Sequence, residues 1–383
     1  MNCFLISIKN KKVILALGPE SAGNFSIYKN GKIYFSKSFG DLLEEKNFLK
    51  FKKSVLDYLK KNKIKPDIIL TDLHPLYKTT ALGAELAKKF KARHLKIQHH
   101  LAHIFSAIGE KTIIENCKLK IENCIGIACD GTGYGLDGKI WGGEIFKISN
   151  LKFPISNKIP NSKFQIQRIG HLENQIMISG DMAVKEPARM LIAILAKIKI
   201  RKLKNVIFNF VKNFYSRNQF EFLYNQFQQG FNCQETSSAG RILDAVSILL
   251  GFCKNQRNYK HEPIDLLEKN SNVPYKIRPK IFLDKKEKKY MLLTTPLFEY
   301  LIKNLHRDKK RLAATAQLYI AQGLYQICQM SNVKCQKFFS GGIANNKIIS
   351  SYLEFKGIFI NKFFSRNDDS LSFGQIIYYL LVR

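Results

Sequence analysis

No two of the eight cysteines (Cys3, Cys117, Cys124, Cys129, Cys233, Cys253, Cys328, Cys335) are spaced as a CxxC pair. That scatter excludes a zinc ribbon, offers no disulfide framework, and fits a reduced compartment. Nowhere does an uncharged apolar run reach the ~18 residues that a bilayer crossing needs. The opening stretch, MNCFLISIKNKKVILAL, lacks the form of a secretory signal, because Lys9, Lys11 and Lys12 split its apolar runs and no small-residue cleavage site follows. A cytoplasmic protein without membrane contact is the expectation. Acidic residues are also scarce: 30 Asp and Glu against 62 Lys and Arg leave a net charge of +32. Such an excess invites a nucleic-acid reading, but it is mostly Lys, dispersed along the whole chain among Asn, Ile and Phe. A dedicated module concentrates its charge on one element, so nucleic acid is not an expected partner.

What is present is enough apolar material for two cores: 383 residues, 45% hydrophobic, with 28 Phe. Alternation at Val13–Gly18, Asn24–Asn30 and Lys32–Phe39 predicts three antiparallel strands. An amphipathic helix (Glu44–Asn62), a buried strand (Pro66–Asp72) and a second helix (Ala81–Phe90) follow. The same beginning recurs at Asn123–Gly135 and Trp141–Ile148, a buried strand running into a glycine turn and then a partner strand. Two lobes, 1–122 and 123–383, are therefore expected, with a helical insertion at about 187–235 whose Phe and Tyr are spaced for core packing. A helix at Arg311–Met330, a strand and glycine turn at Lys334–Asn346, and a closing segment at Asn367–Leu381 complete the order. Strands that end in glycine turns facing helix starts are where α/β proteins hold phosphates, and three such turns suggest a cleft between lobes.

Four places carry chemistry. In QHHLAH, His99 and His103 stand four apart, which on a helix puts both imidazoles on one face, suited to a metal and equally to a filled core. In DGTGYGLDGKIWGGE, Asp130 ends an apolar strand, and Gly131, Thr132, Gly133 and Gly135 form either a phosphate or metal loop or a plain hairpin turn. SSAGRILDAVSILLG places Arg241 and Asp244 three apart at a helix start, a ligand pair or a surface ion pair. FSGGIANN sets Gly341 and Gly342 at a strand end with Asn345 and Asn346 beyond, a place for a purine and ribose or a turn alone.

Taken in order, HH-x-AH, DGTGYG-x-DG-x-IWGGE, RIGHL with GD-x-AVKEPARM, TSSAGR-x-x-DAVSILLG, SGGIANN and the terminal ND-x-x-L-x-x-GQ resemble the carbamoyltransferase domain of the HypF family of hydrogenase maturation proteins. LALGPES, FGDL and TDLHP are similar to that family as well, so the resemblance covers almost the whole chain. It implies an α/β, two-lobed actin-like and sugar-kinase-like fold of duplicated ribonuclease-H-like lobes, with a nucleotide and metal cleft between them. It also implies a divalent metal, iron first and zinc or magnesium as alternatives, on His99, His103, Asp130 and Asp368, of which the first three would be catalytic. The nucleotide, ATP or carbamoyl-adenylate, would sit on Gly131, Thr132, Gly133, Gly135, Arg241, Asp244, Gly341, Gly342 and Asn346.

The activity implied is transfer of a carbamoyl group from carbamoyl-adenylate to the C-terminal cysteine thiol of a HypE-like acceptor, a step toward the cyanide ligands of nickel-iron hydrogenase. No nucleophile from this chain is needed, so its cysteines read as structural. Relatives carry an acylphosphatase domain, zinc fingers and a YrdC-like adenylate-forming domain upstream. With none of these in the 383 residues, the chain is expected to be either an excised domain or a protein that works with a separate YrdC-like protein or HypF N-terminal activating protein as partner. Two departures stand out: Ala22 where the family pattern leads one to expect lysine, and NYKHEPID (Asn258–Asp265) in place of a Tyr-Glu-Gly-Gln-Ala-Ala run. The competing readings are an O-carbamoyltransferase or tRNA threonylcarbamoyl transferase of the same superfamily, and a non-catalytic nucleotide-binding scaffold.

Overall fold

In the computed structural model, residues 1–6, 8, 10–115, 123–150, 164–198, 203–331 and 335–383 are described. Cys117, Lys334 and the 122 side of the expected lobe boundary lie outside them. The chain begins β1 (Asn2–Leu5), β2 (Ile14–Ala16), β3 (Ser26–Lys29), β4 (Lys32–Phe35), α1 (Glu45–Lys61), β5 (Ile68–Asp72), α2 (Lys78–Phe90), β6 (Arg93–Ile97) and α3 (His99–Glu115). It continues with β7 (Asn123–Tyr134), β8 (Ile140–Asn150), β9 (Phe164–Leu172), β10 (Gln175–Ile178), α4 (Met182–Lys185), α5 (Ala188–Ala196), α6 (Leu203–Val211), α7 (Arg217–Gln229), β11 (Cys233–Thr236) and α8 (Ala239–Leu250). The remainder is α9 (Glu262–Lys269), β12 (Ile281–Asp284), β13 (Lys289–Leu292), α10 (Thr295–Lys303), α11 (Lys309–Met330), β14 (Gln336–Ser340), α12 (Lys347–Phe355), β15 (Phe359–Ile360) and α13 (Leu371–Val382).

The two sheets repeat one plan. In the first, the order β4-β3-β2-β5-β6 has three antiparallel strands followed by two parallel ones, and β1 extends the β4 edge. In the second, β9-β8-β7-β14-β15 repeats that order and direction, and β13 and β12 extend the β9 edge. This duplication is the two-lobed α/β actin-like architecture. The strand period of two sorts the side chains. Ile14 and Ala16 face the middle of the molecule, while Leu15 and Leu17 face α1 and α2; Cys124 and Ala128 face the middle, while Ile125, Ile127 and Cys129 face the outer core with α5, α8 and α11.

Two helices fill the middle. α13 lies on β2, β3 and β5, α3 lies on β7 and β14, and the two helices pack on each other. The last segment of the chain thus returns to the first sheet. The close approach depends on Gly374, where a Cβ would collide with the carbonyl of Ala102. Between 187 and 235 the expected helices are present as α5, α6 and α7, with Ile207, Val211, Tyr215 and Phe220 in the core and β11 at the far end. Eight of the described strands were not expected from the sequence: β1, β9, β10, β11, β12, β13, β15, and β6 (RHLKI), an edge strand whose Arg93 and Lys96 are exposed. The glycine loop also differs from a simple turn. β7 runs through to Tyr134, and the pairing with β8 slips between Cys129 and Gly133, so that Asp130–Thr132 form a bulge.

Candidate metal centre

Alternation along β7 continues past Ala128, so Asp130 faces the middle of the molecule, where the first turn of α3 lies. Gln98 caps that helix, its Oε1 accepting from the Leu101 amide at 3.0 Å. His99 and His103 then share one face, as the i, i+4 spacing dictates. His100 turns aside toward Trp141 and Gly133, and burial, then His99, pushes its pKa down to about 3. Asp368 enters from a short 3-10 turn just before α13. The four meet: His99 Nε2 is 3.1 Å from Asp130 Oδ2 and 3.5 Å from Asp368 Oδ1, and His103 Nε2 is 3.6 and 3.3 Å from the same two oxygens. All four are buried, and one ligand atom from each lies within 4.8 Å of the others.

Burial opposes a charge on either imidazole, yet the carboxylates outweigh it and raise both pKa values: Asp72, Asp130 and Asp368 at His99, and Asp130 and Asp368 at His103. For Asp130 and Asp368, burial pushes upward, but the facing imidazoles prevail and hold both carboxyls below their usual range. The hydrogen bonding within the group is incomplete. His103 Nδ1 and Nε2 and Asp368 Oδ1 have no partner of hydrogen-bond geometry, although each is enclosed. Buried orphans on one imidazole and one carboxylate, beside a second residue of each kind, fit a divalent first-row ion. The surroundings fit one too. Asp72, the last residue of β5, accepts from His99 Nδ1 at 2.8 Å, which fixes the tautomer that leaves Nε2 free to ligate. Ser21 donates to Asp368 Oδ2, and Asn24 Nδ2 donates to the Asp369 carbonyl at 2.5 Å. Glu110, on α3 with the histidines, accepts from Asn361 Nδ2 and from the amides of Lys362, Phe363 and Phe364, tying the loop before Asp368 to the histidine helix.

Above the cluster is a cleft of about 250 Å³ lined by Ser21, Ala22, Ser38, Gly40, Asp130, Lys260, His261, Gly342, Asn367, Asp368 and Asp369. Both departures from the family pattern, Ala22 and the Lys260–His261 segment, line it. Gly342 lies against the centre, since a Cβ there would stand 2.8 Å from Asp130 Oδ1. Gly341, at φ +106°, presses on the backbone of Cys129. The other expected nucleotide residues take varied places. Gly131 lies beside Arg241, Thr132 is exposed, Gly133 underlies His99 and His100, and Gly135 turns against Trp141. Arg241 and Asp244 form an ion pair at 2.8 Å that is buried rather than on the surface, and Arg257 joins the same Asp244 oxygen. Ser238 caps α8 and donates to the carbonyls of Asp130 and Gly131, binding that helix to the bulge. Asn346 caps α12 through Oδ1 and donates to Gln317 at 2.6 Å, so its side chain is already engaged.

No cysteine lines this cleft among the described residues. Burial pushes the Cys124 and Cys328 thiols up to about 12 and Cys253 to about 11, so none of these is an activated thiolate. Asp72, Ser21, Glu110 and Lys260 escaped the sequence reading. Only Asp72 carried a usable signal there, a carboxylate ending a buried strand, as Asp130 does.

Two family models match the chain: HypF Kae1-like domain over residues 9–110, and carbamoyltransferase, Kae1-like domain, second subdomain over residues 126–375. The chain belongs to the HypF carbamoyltransferase family. It is 34% identical, over 98% of its length, to a probable carbamoyltransferase HypF of Methanocaldococcus jannaschii, and 29% identical, over 80%, to carbamoyltransferase HypF of Synechocystis sp.. It spans 47% and 38% of those relatives, half their length or less. Among solved structures, T. kodakarensis HypF matches 99% of the chain with a TM-score of 0.84 at 26% identity, the match covering 48% of that HypF. Full-length HypF in a phosphate- and nucleotide-bound form matches 99% of the chain at 0.82 and 24% identity, with 57% of its own length covered. Among the described residues no helix is long and apolar enough to cross a membrane.

Proposed function

We propose that the chain carries out the carbamoyl-transfer half of a HypF reaction. In this reading carbamoyl-adenylate enters the cleft, and the C-terminal cysteine of a HypE-like protein attacks the carbamoyl carbon. A C–S bond forms, the bond from that carbon to the phosphate oxygen breaks, the thiol gives up its proton, and AMP leaves. The thiocarboxamide formed is a precursor of the cyanide ligands of nickel-iron hydrogenase. The observation that carries the proposal is the buried, incompletely bonded group of His99, His103, Asp130 and Asp368 at the floor of an open cleft.

These four residues would hold the divalent ion, which, when bound, supplies Lewis-acid polarisation of a carbonyl oxygen. Iron is the first choice. The chain's own residues orient the site: Asp72 sets the His99 tautomer, and Ser21 and Glu110 hold the Asp368 segment. Gly342, which lines the cleft against Asp130, and Gly131 on the neighbouring bulge leave room for close backbone approach of a phosphate on the Asp130 side. Activation of carbamoyl phosphate with ATP is assigned to a YrdC-like protein or a HypF N-terminal module, because acyl transfer needs a preformed adenylate.

The test is intact-mass spectrometry of the acceptor after incubation with this chain and carbamoyl-adenylate. A carbamoyl adduct is expected on the acceptor with its C-terminal cysteine and not on a cysteine-to-serine acceptor. An adduct on serine or on small hydroxyl compounds would favour O-carbamoyl transfer instead. A second reading, a scaffold that binds ligand without turnover, draws on Ala22 and His261, the departures that line the cleft. Metal and nucleotide binding with no adduct on any acceptor would favour it.

A further inference from the structure

Lys260 lies on the loop between α8 and α9, and among the described residues lining the cleft it alone carries an ammonium or guanidinium group. Ala22, across the cleft, contributes only a methyl. The Lys260 Nζ is 3.8 Å from Asp368 Oδ2, and the side chain is 62% exposed. At that separation the charge is within reach of the metal-ligand carboxylate but is not committed to it by a hydrogen bond. The backbone behind it is fixed. Arg257 Nη1 donates to the Lys260 carbonyl at 2.7 Å, and the same guanidinium is anchored on Asp244, a carboxylate with no exposure. Two residues on, Glu262 accepts from both the amide and the side chain of Asn258, closing the loop on itself. A flexible side chain on a fixed backbone, aimed from the second lobe at the mouth of the cleft, is suited to meeting a mobile anion.

The charges around it support an anion. A divalent ion would neutralise Asp130 and Asp368, the latter being the carboxylate 3.8 Å from Lys260. Just behind Gly131, Arg241 and Arg257 share the single carboxylate of Asp244, which leaves one buried positive charge over. A phosphate oxygen at the cleft mouth would therefore find in Lys260 an exposed ammonium donor that no hydrogen bond commits elsewhere. Resting on the reading that this cleft takes a nucleotide, we propose that Lys260 is a phosphate-positioning residue, holding a phosphate oxygen of the nucleotide beside the metal centre from the α8–α9 loop.

Calorimetry with ATP and with adenosine, on parent, Lys260→Ala, Lys260→Arg and the exposed control Lys65→Ala, tests this role. In Lys260→Ala, ATP affinity is expected to fall about three- to tenfold while adenosine affinity stays the same, as loss of an exposed charge-assisted contact dictates. Lys260→Arg should stay within about twofold of the parent, since the charge is kept. Bound metal should be equal in all four proteins. Unchanged ATP affinity in Lys260→Ala would overturn the proposal, as would an equal loss for ATP and adenosine, which would mark a change in cleft shape. A parent that binds neither ligand would sink the nucleotide reading itself, and the role of Lys260 with it.

Discussion

Replacing Asp72 by asparagine alters one atom and sets two hydrogen bonds against each other. Asp72 Oδ2 accepts from His99 Nδ1 at 2.8 Å and Oδ1 accepts from the His74 amide at 2.9 Å, with the carboxylate buried. Asparagine has one oxygen and must turn its NH₂ toward one of these donors. If the NH₂ faces His99, the imidazole accepts there, its proton moves to Nε2, and that proton points at the metal position. If the oxygen faces His99, the tautomer survives, but the carboxylate charge that raises ring basicity is gone. The second arrangement puts the loss of metal affinity near tenfold and the first near a hundredfold, about 1.4 to 2.7 kcal/mol. Competition against a chromophoric chelator with zinc as the probe reads the difference, and circular dichroism checks the fold. A correctly folded Asp72→Asn protein with zinc affinity within about twofold of the parent would refute the outer-sphere role.

Three more expectations follow from the same geometry. Gly342→Val would place a side chain against Asp130 Oδ1, 2.8 Å from the Cβ position, so ATP and zinc affinities should both fall; equal ATP binding by calorimetry would count against the cleft assignment. Glu144 is fully buried, and although burial raises its pKa, Arg168, His100, His171 and the Ser237 hydroxyl together hold it below the ordinary value. Its folded pKa therefore lies below the unfolded one, so its stabilisation is present above about pH 4.3 and lost as pH falls through the folded value. Glu144→Gln should cost about 3 to 5 kcal/mol at pH 7, with the gap to the parent narrowing in acid, as denaturant melts at pH 7 and pH 3.5 would show. Finally, carbamoyl phosphate and ATP alone should give no adduct on the acceptor, while a YrdC-like protein or preformed carbamoyl-adenylate restores it; full activity without either would contradict the division of labour.

Much of this site was legible because its signals are local. His99 and His103 fall on one helical face, and Asp130 ends an apolar strand whose alternation already points it inward. Asp368 was not, because its role depends on α13 returning to the first sheet, a contact no local pattern encodes. Family resemblance supplied that residue. The fold was readable at β5 and β7, which bury both faces over an apolar run, and was missed at short strands such as β10 and at β6, where Arg93 and Lys96 hide an edge strand. The glycine loop was located correctly, but its form was not, because a bulge is set by cross-strand pairing with β8. Arg241 and Asp244 could not be told from a surface pair in sequence; the second guanidinium, Arg257, lies beyond the end of the helix.

The metal centre carries the proposed chemistry, and its most direct measurement is metal content by mass spectrometry of parent and His103→Ala proteins purified side by side. One divalent ion per chain is expected in the parent, and most of it should be gone from His103→Ala, with circular dichroism unchanged. Equal metal in the two, or none in a parent reconstituted with iron or zinc, would contradict the assignment of His99, His103, Asp130 and Asp368.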